Sequence, residues 1–420
     1  MNSINIGQRG RFVKSFYMVV GVDIGKGFHM AVVRLRDGSF SKAFRFSSNA
    51  SGFTDFWDWL NKWYEQDGFS GVLIGLESTG HYWETLAYWL RKRGIEVVQV
   101  NPLHTHKAKD LYDNNPGKTD KKDARIIADL VSQGKFLHCI IPQGRYADLR
   151  QLVLLRKRLV TDRTRQLNNI HRVIDVLFPE FGSVFKNIKT KSCEYLLTHV
   201  YTPDLLLSFS YKRLVKTLHK ISHGKLKVEK LADLYKLAKS SVGIREGING
   251  IKIVLYHDLS QYMQLNKEIK HLEELIEEVV CELEESDYLR SVKGVGLITA
   301  AVILGETGGL SHYSSAEEII KLAGLNLYER SSGKHHGKRR ITKRGRSVLR
   351  EGLYLAAVSV IRRDGVLRDF YERLINKGKA RAVALIAVAC KLMRLLFALV
   401  RARRFYVTNY SVCEAELGVV

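Results

Sequence analysis

Four acidic residues sit where this sequence could place metal-binding carboxylates. Asp23 closes the apolar run in VVGVDIGKGFH, Glu77 closes a second in IGLESTGHY, and Asp120 and Asp123 open a helical pattern in GKTDKKDARIIADL. A carboxylate at the end of an apolar strand stands at a sheet's edge facing a cleft, and helical residues three apart share a face. Four acids on three elements match a pair of Mg2+ ions. Hard cations take carboxylate oxygens, and two ions can clamp the attacking and leaving oxygens of a phosphodiester. Asp23, Glu77, Asp120 and Asp123 are therefore the expected catalytic and metal-ligating residues, with Mg2+ as cofactor. Each also has a plainer account. Asp23 two residues before Gly25 reads as a turn, Asp120 as an N-cap with Asp123 in the first turn, and Glu77 beside Ser78, Thr79 and Gly80 as a helix entry. The joint arrangement in a strongly basic chain favours chemistry. Gly117-Lys118-Thr119 looks like the end of a phosphate-binding P-loop, but the position of its first glycine holds Tyr112.

The elements that must hold these acids read as α/β. Tyr17 to Val22 and His29 to Leu35 are Val-rich strands joined by a Gly-containing turn, and Phe40 to Phe46 alternates like a third strand. Gly52 to Glu65 then reads as a helix, Gly71 to Leu76 as a strand, His81 to Lys92 as a helix and Ile95 to Val100 as a strand. Three strands followed by strands alternating with helices is the plan of the RNase H-like fold, and also of the actin-like ATPases.

The remainder reads as helical. From Arg150 to Phe178, leucines and isoleucines recur at helical spacing on an otherwise basic segment that includes Arg156, Lys157 and Arg158. From Leu259 to Leu283 a similar apolar stripe carries an acidic polar face. Opposite charge predicts that the two long amphipathic helices pair as a coiled coil, within one chain as an antiparallel hairpin or between subunits. Residues 182 to 249 between them read as a helical insertion. Gly294-Val295-Gly296, between apolar helical segments, is similar to a helix-hairpin-helix, whose small-residue turn lets backbone amides approach phosphates; a tight turn between core helices fits the same residues. Arg330 to Arg350 then holds nine Lys or Arg and no acid. Arg330, Lys334, Lys338, Arg339, Arg340, Lys343, Arg344 and Arg346, with Gly294, Gly296 and the Arg156–Arg158 triplet, are the expected nucleic-acid-binding residues.

At 420 residues the chain exceeds the size of one hydrophobic core. The expected domains are 1–148 (α/β, catalytic), 149–288 (coiled coil with insertion) and 289–420 (helical, with the basic loop). Its 67 Lys and Arg against 43 Asp and Glu leave +24, which calls for a polyanionic partner. Nucleic acid is the default. A membrane surface would need a basic amphipathic anchor or a long apolar span, and Ala380 to Val400 is broken by Arg381, Lys391 and Arg394, as in a buried helix. Cys139, Cys193, Cys281, Cys390 and Cys413 are far apart without metal-ligand spacing, and the first sixteen residues have no apolar core of a secretory signal. A cytoplasmic location is expected.

The set VGVDIGK, LESTGHYW, VNPLHTHKAKD and GKTDKKDARIIADL, followed by VKGVGLITAAVILGETGGL and AGLNLYERSSGKHHGKRRITKRGRSVLREGLYLAA, resembles the DEDD-type insertion-sequence transposases, relatives of the pilin-gene inverting recombinases. The likeness covers nearly the whole chain. It implies a RuvC-like (RNase H-like) N-terminal domain and a serine-bearing C-terminal domain that cut and rejoin donor and target DNA. It also implies an element-encoded guide RNA. The family's C-terminal serine lies in a Ser-Gly step before a basic Ile-Thr-Lys-Arg-Gly run, which Ser332-Gly333 and Ile341 to Gly345 match; Ser332 is the expected nucleophile and Ser331 the fallback. Strand exchange between two duplexes implies a homodimer or tetramer. A junction resolvase using water, an actin-like ATPase and a non-enzymatic nucleic-acid-binding protein remain open alternatives at this point.

Overall fold

A computed structural model describes residue 13 and residues 17–407, apart from 68, 78–79, 113–119, 330, 333–334, 337–338 and 364. The chain divides into two compact units, Met1–Ile141 and Pro142–Val420.

The first unit is built on a six-stranded sheet of order β3-β2-β1-β4-β5-β6. Strand β2 (Phe28–Arg34) runs antiparallel to both of its neighbours, β1 (Tyr17–Ile24) and β3 (Phe44–Ser47). After helix α1 (Ala50–Asp67) come β4 (Gly71–Glu77), helix α2 (Trp83–Arg91) and β5 (Glu96–Val100), and both strands lie parallel to β1. Helices α3 (Pro102–Tyr112) and α4 (Asp120–Ser132) follow, and β6 (Leu137–His138) closes the edge antiparallel to β5.

Side chains alternate between the two faces of a strand. On one face Met18, Val20, Val22, Ile74 and Leu76 pack with Phe53, Phe56 and Leu60 of α1 and Leu86 and Leu90 of α2. On the other, Val19, Leu73, Val98 and Val100 pack with Ile126, Ile127 and Val131 of α4. The expected mixed α/β plan is observed. The third strand is shorter than its alternation predicts and begins at Phe44, because the Ser41 hydroxyl accepts the Val33 N–H at 3.0 Å while the Ser41 N–H bonds the Val33 carbonyl. Phe40 keeps only an isolated bridge to Arg34.

The second unit is dominated by α5 (Arg145–Leu177) and, after the insertion, α11 (Ile248–Cys281). These two helices pack antiparallel, with Arg145 bonded to Glu282, Arg156 to Glu273 and Arg163 to Asn266. The hairpin alternative therefore holds within one chain. The insertion carries α6 (Phe181–Val184), α7 (Lys191–His199), α8 (Pro203–Ser208), α9 (Tyr211–Ile221) and α10 (Val228–Ala238). Thr190 and Thr202 cap α7 and α8 by accepting the N–H of Cys193 and Leu205. Phe178, Phe181, Leu196, Leu206, Leu218 and Leu234 give this insertion a core against the hairpin's end.

Beyond the hairpin lie α12 (Glu284–Arg290), α13 (Leu297–Thr307) and α14 (Ala316–Leu322). Short strands β7 (Leu327–Tyr328), β8 (Ser331–Ser332), β9 (His335–His336) and β10 (Arg340–Ile341) come next, followed by α15 (Ser347–Val360), α16 (Val366–Asn376) and α17 (Arg381–Ala402). The basic segment, expected as a loop in a helical domain, thus contains two antiparallel ladders in series, β7 with β10 and β8 with β9. Only Gly333 and Lys334 separate β8 from β9, and Gly-X is a two-residue hairpin signal that the loop reading passed over. Helix α17 is long and apolar enough to cross a membrane by length and composition. In this fold it is a core helix, with Ala384, Leu385, Val388, Ala389, Leu392, Met393 and Leu396 buried, against α12, α14, α15 and α16.

Candidate active site

Strands β1 and β4 run parallel with Val22 opposite Leu76, so Asp23 and Glu77 are the next residues along each. Two residues earlier, on the same faces, Gly21 pairs with Gly75. A Cβ on Gly21 would lie 2.1 Å from the Ala124 carbonyl oxygen, and one on Gly75 would lie 2.3 Å from Val131 Cγ2. The missing side chains let α4 lie directly on the strands, and its first turn, bearing Asp120 and Asp123, reaches the strand ends.

Three of the acids act on the fourth there. The Asp23 carboxyl is pushed up to about 6, first by burial and then by the negative charges of Asp123, Asp120 and Glu77, with Lys109 acting in the opposite sense. Asp120 is exposed and Asp123 is buried. Asp123 Oδ2 accepts a hydrogen bond from Lys109 Nζ at 2.7 Å, while its Oδ1 is buried and has no hydrogen-bond partner among the described residues. Glu77 Oε2 accepts from the buried Thr105 hydroxyl at 2.6 Å. Thr105 and Lys109 are one helical turn apart on α3, so one face of that helix addresses both the strand-end and the helix-start acids. Neither was singled out from the sequence. Their signal was the spacing of four between a hydroxyl and an ammonium in VNPLHTHKAKD, which lies between Glu77 and Asp120 in the chain.

The donor set is all oxygen, as hard divalent cations require, and the orphaned Asp123 Oδ1 is a buried acceptor without a donor. Among the described residues, no three His, Cys, Asp or Glu stand together as a ready-made metal site. Two of the four acids, Glu77 and Asp123, are instead held by Thr105 and Lys109.

Behind the turn that follows Asp23, His29 is fully buried between Phe46 and Phe53. Its Nδ1 accepts the Gly25 N–H at 3.3 Å, its Nε2 has no partner among the described residues, and burial lowers its pKa to about 4. It is a neutral core histidine.

The residues expected at nucleic acid lie in the second unit. Arg156 is engaged by Glu273 and Lys157 by Glu351, whereas Arg158 is exposed. Gly294 takes φ +105°, and a Cβ there would meet Val360 Cα at 2.9 Å, so this glycine serves a close approach to α15; Gly296 faces open space. Arg339 pairs with Glu329 at 2.8 Å, and Arg340, Lys343 and Arg344 are exposed. Arg346 turns inward: it donates to the Glu306 carbonyl, and its guanidinium lies 3.8 Å from the buried Glu306 carboxylate, which Arg150 approaches to 4.0 Å. In the ribbon, the backbone register sets Ser331 opposite His336 and Ser332 opposite His335. Arg330, Lys334 and Lys338, and the side chains of Ser331 and Ser332, lie outside the described residues.

A DEDD transposase family model matches residues 20–179, and a model described as the transposase IS116/IS110/IS902 family matches residues 286–372. The chain is 30% identical over 318 residues to the 42 kDa protein of insertion element IS900 from Mycobacterium paratuberculosis, spanning 74% of this chain and 78% of that one. It is 26% identical to the 44.8 kDa protein of insertion element IS116 from Streptomyces clavuligerus, across 92% of this chain and 95% of that one. The pilin gene-inverting protein of Moraxella bovis is 25% identical, across 86% of this chain and 88% of its own length.

Proposed function

We propose how this chain acts from one premise: it belongs to the IS116/IS110/IS902 family of transposases. Its work is strand transfer on DNA, and the finer reading is a recombinase with an acidic site in an RNase H-like first unit and a serine nucleophile in the second. The observation that carries the acidic site is geometric: Asp23 and Glu77 follow the paired Val22 and Leu76 on adjacent parallel strands, under the helix that bears Asp120 and Asp123, and among the described residues the buried Asp123 Oδ1 has no hydrogen-bond partner.

Asp23, Glu77, Asp120 and Asp123 would hold Mg2+, which when bound supplies charge stabilisation for the scissile phosphate. Thr105 fixes the rotamer of Glu77 through its hydroxyl. Gly21 and Gly75 set the height of α4 above the strands. The buried wall of Met18, Val20, Val22, Ile74 and Leu76 on the opposite sheet face keeps both strand ends rigid.

In the second unit, Ser332 would attack the scissile phosphorus. One DNA P–O bond breaks, a phosphoserine linkage forms, and the departing DNA oxygen takes up a proton. A hydroxyl of the second duplex then attacks that linkage and regenerates the serine, so two strands are exchanged without external energy. A serine hydroxyl is a weak nucleophile and needs a base; His335 holds the register position across from Ser332. Arg340, Lys343 and Arg344 would receive the phosphate backbone. Donor and target choice by an element-encoded RNA, and a dimer or tetramer as the acting form, complete the proposal.

The test combines purified protein, the element's flanking RNA and both DNA partners. Strand exchange that changes site when the RNA's pairing segments are rewritten supports the reading. Site choice indifferent to the RNA means that the protein reads DNA directly.

A further inference from the structure

We propose that Lys109 is a built-in counter-cation of the carboxylate cluster, holding Asp123 while no divalent ion is bound and yielding Asp123 Oδ2 when one enters. The inference rests on reading the cluster as a metal site and adds to it a residue that sets metal affinity. Lys109 reaches Asp123 from a different helix, with its ammonium 2.7 Å from Oδ2. The pair is asymmetric: the Lys109 side chain is 26% exposed and that of Asp123 8%. The carboxylate is thus fixed in the protein interior, whereas the ammonium has a route to solvent.

The other oxygen of Asp123 makes the arrangement informative. A buried carboxylate fully satisfied by its surroundings would have donors on both oxygens, because an unsatisfied buried acceptor costs free energy. Here Oδ1 is buried and, among the described residues, unpartnered. Lysine compensates part of the charge and leaves part of the coordination capacity unused. One turn earlier on the same face, Thr105 holds Glu77 by a neutral hydroxyl, which can stay in place beside a cation because it brings no charge. Lys109 cannot remain so close without repelling a divalent ion a few ångströms away. Its flexible four-carbon stem and compact, strongly hydrated head suit withdrawal into solvent. Lys109 is therefore a positioning residue that also competes with the metal.

The experiment titrates full-length protein with Mn2+ and reads the bound ion by electron paramagnetic resonance, for wild type, Lys109→Met, Lys109→Gln and Asp123→Asn. The expected result is that Asp123→Asn loses the ion and that both Lys109 variants bind it about tenfold more tightly than wild type, through removal of the competing charge. Thermal unfolding is the second readout. Without metal the Lys109 variants should melt below wild type, and saturating Mn2+ should close that gap. If the Lys109 variants bind Mn2+ as wild type does or more weakly while Asp123→Asn still loses it, Lys109 is only a brace; the competition is refuted and the metal site stands. A melting deficit equal with and without Mn2+ also refutes the competition. If wild type and Lys109 variants alike take up no ion, the metal reading falls and the inference falls with it.

Discussion

Gly21 and Gly75 stand opposite each other in the parallel β1–β4 register, each two residues ahead of an acid, and both lie beneath α4. The two contacts differ in kind. Gly21 faces helix backbone, Ala124 O and Ala128 N, whereas Gly75 faces the Val131 side chain. Both Gly21→Ala and Gly75→Ala should destabilise by overpacking, by about 1–3 kcal/mol, with Gly21→Ala at the upper end because backbone cannot rotate away. Adding Val131→Ala should restore most of the loss in Gly75→Ala. Urea denaturation of the single and double variants reads this directly, and no recovery in the Gly75→Ala/Val131→Ala double would refute the packing account.

Asp23→Asn, Glu77→Gln and Asp123→Asn should each remove more than about a hundredfold of strand-exchange activity, beyond the 10–100-fold expected for a change outside the ligands themselves. DNA affinity should persist, since each change removes negative charge. Thr105→Val should lose about tenfold to a hundredfold by freeing the Glu77 carboxylate. Time courses of product formation at saturating DNA decide it; full activity of Asp23→Asn defeats the carboxylate site.

Much of this was legible in the residues. Strand alternation and the placement of Asp23, Glu77, Asp120 and Asp123 at element ends follow from a two-residue period and from the start of one helix, which are local properties. That the two long helices pair followed from their opposite charge; that they do so as a hairpin within one chain, with Arg156 on Glu273, is visible only in the fold. What stayed hidden depends on contacts distant in sequence. Thr105 and Lys109 become meaningful only once α3 is docked, and the inward turn of Arg346 depends on Glu306, forty residues earlier in the chain. A run of arginines looks the same in sequence whether its members face solvent or a buried carboxylate.

That last distinction separates two kinds of basic residue. Glu306 is buried between Arg150 and Arg346, and breaking such a group leaves uncompensated charge at a cost of about 3 kcal/mol. Arg346→Met and Glu306→Gln should therefore lower stability, with Arg346→Met leaving the salt dependence of DNA binding nearly unchanged. Lys343→Met and Arg344→Met should change stability by less than about 0.5 kcal/mol and flatten the salt slope by about one phosphate contact each. Equal salt-slope losses for Arg346 and Arg344 variants would contradict the inward assignment.

His29 sets an acid limit on the first unit. Its folded pKa, about 4, lies below the ordinary histidine value of 6.5 because the neutral ring is buried. The unfolded chain therefore binds more protons below pH 6.5, and stability is intact above that value and lost as pH falls towards 4. The loss approaches about 3 kcal/mol at the bottom of the window. His29→Phe, which keeps a ring against Phe46 and Phe53, should be less stable than wild type at pH 8 through the lost Gly25 bond, yet flatter between pH 6.5 and 4. Melting temperature against pH for the two proteins checks this, and parallel curves would show that His29 is not the titrating group.

Ser332 is the final test of the second unit. The register puts it in a two-residue strand opposite His335, and exposed Arg340, Lys343 and Arg344 follow within a short stretch of chain, so a phosphate drawn to these cations would lie near the ribbon. Ser332→Ala should abolish strand exchange, a loss of several orders of magnitude, because no other group replaces a covalent nucleophile of this kind; Ser331→Ala should retain most of it. Binding of DNA should survive both changes. Trapping the reaction midway with a nicked substrate and mapping the protein-bound DNA by peptide should locate the adduct on the peptide that carries Ser332 in wild type and remove it in Ser332→Ala. His335→Gln should shift the pH profile of the first step while leaving DNA affinity intact, if that residue takes the serine proton. Strand exchange that persists in the Ser331→Ala/Ser332→Ala double variant would mean that water or a DNA hydroxyl attacks, and the chemistry would then belong to the carboxylate unit alone.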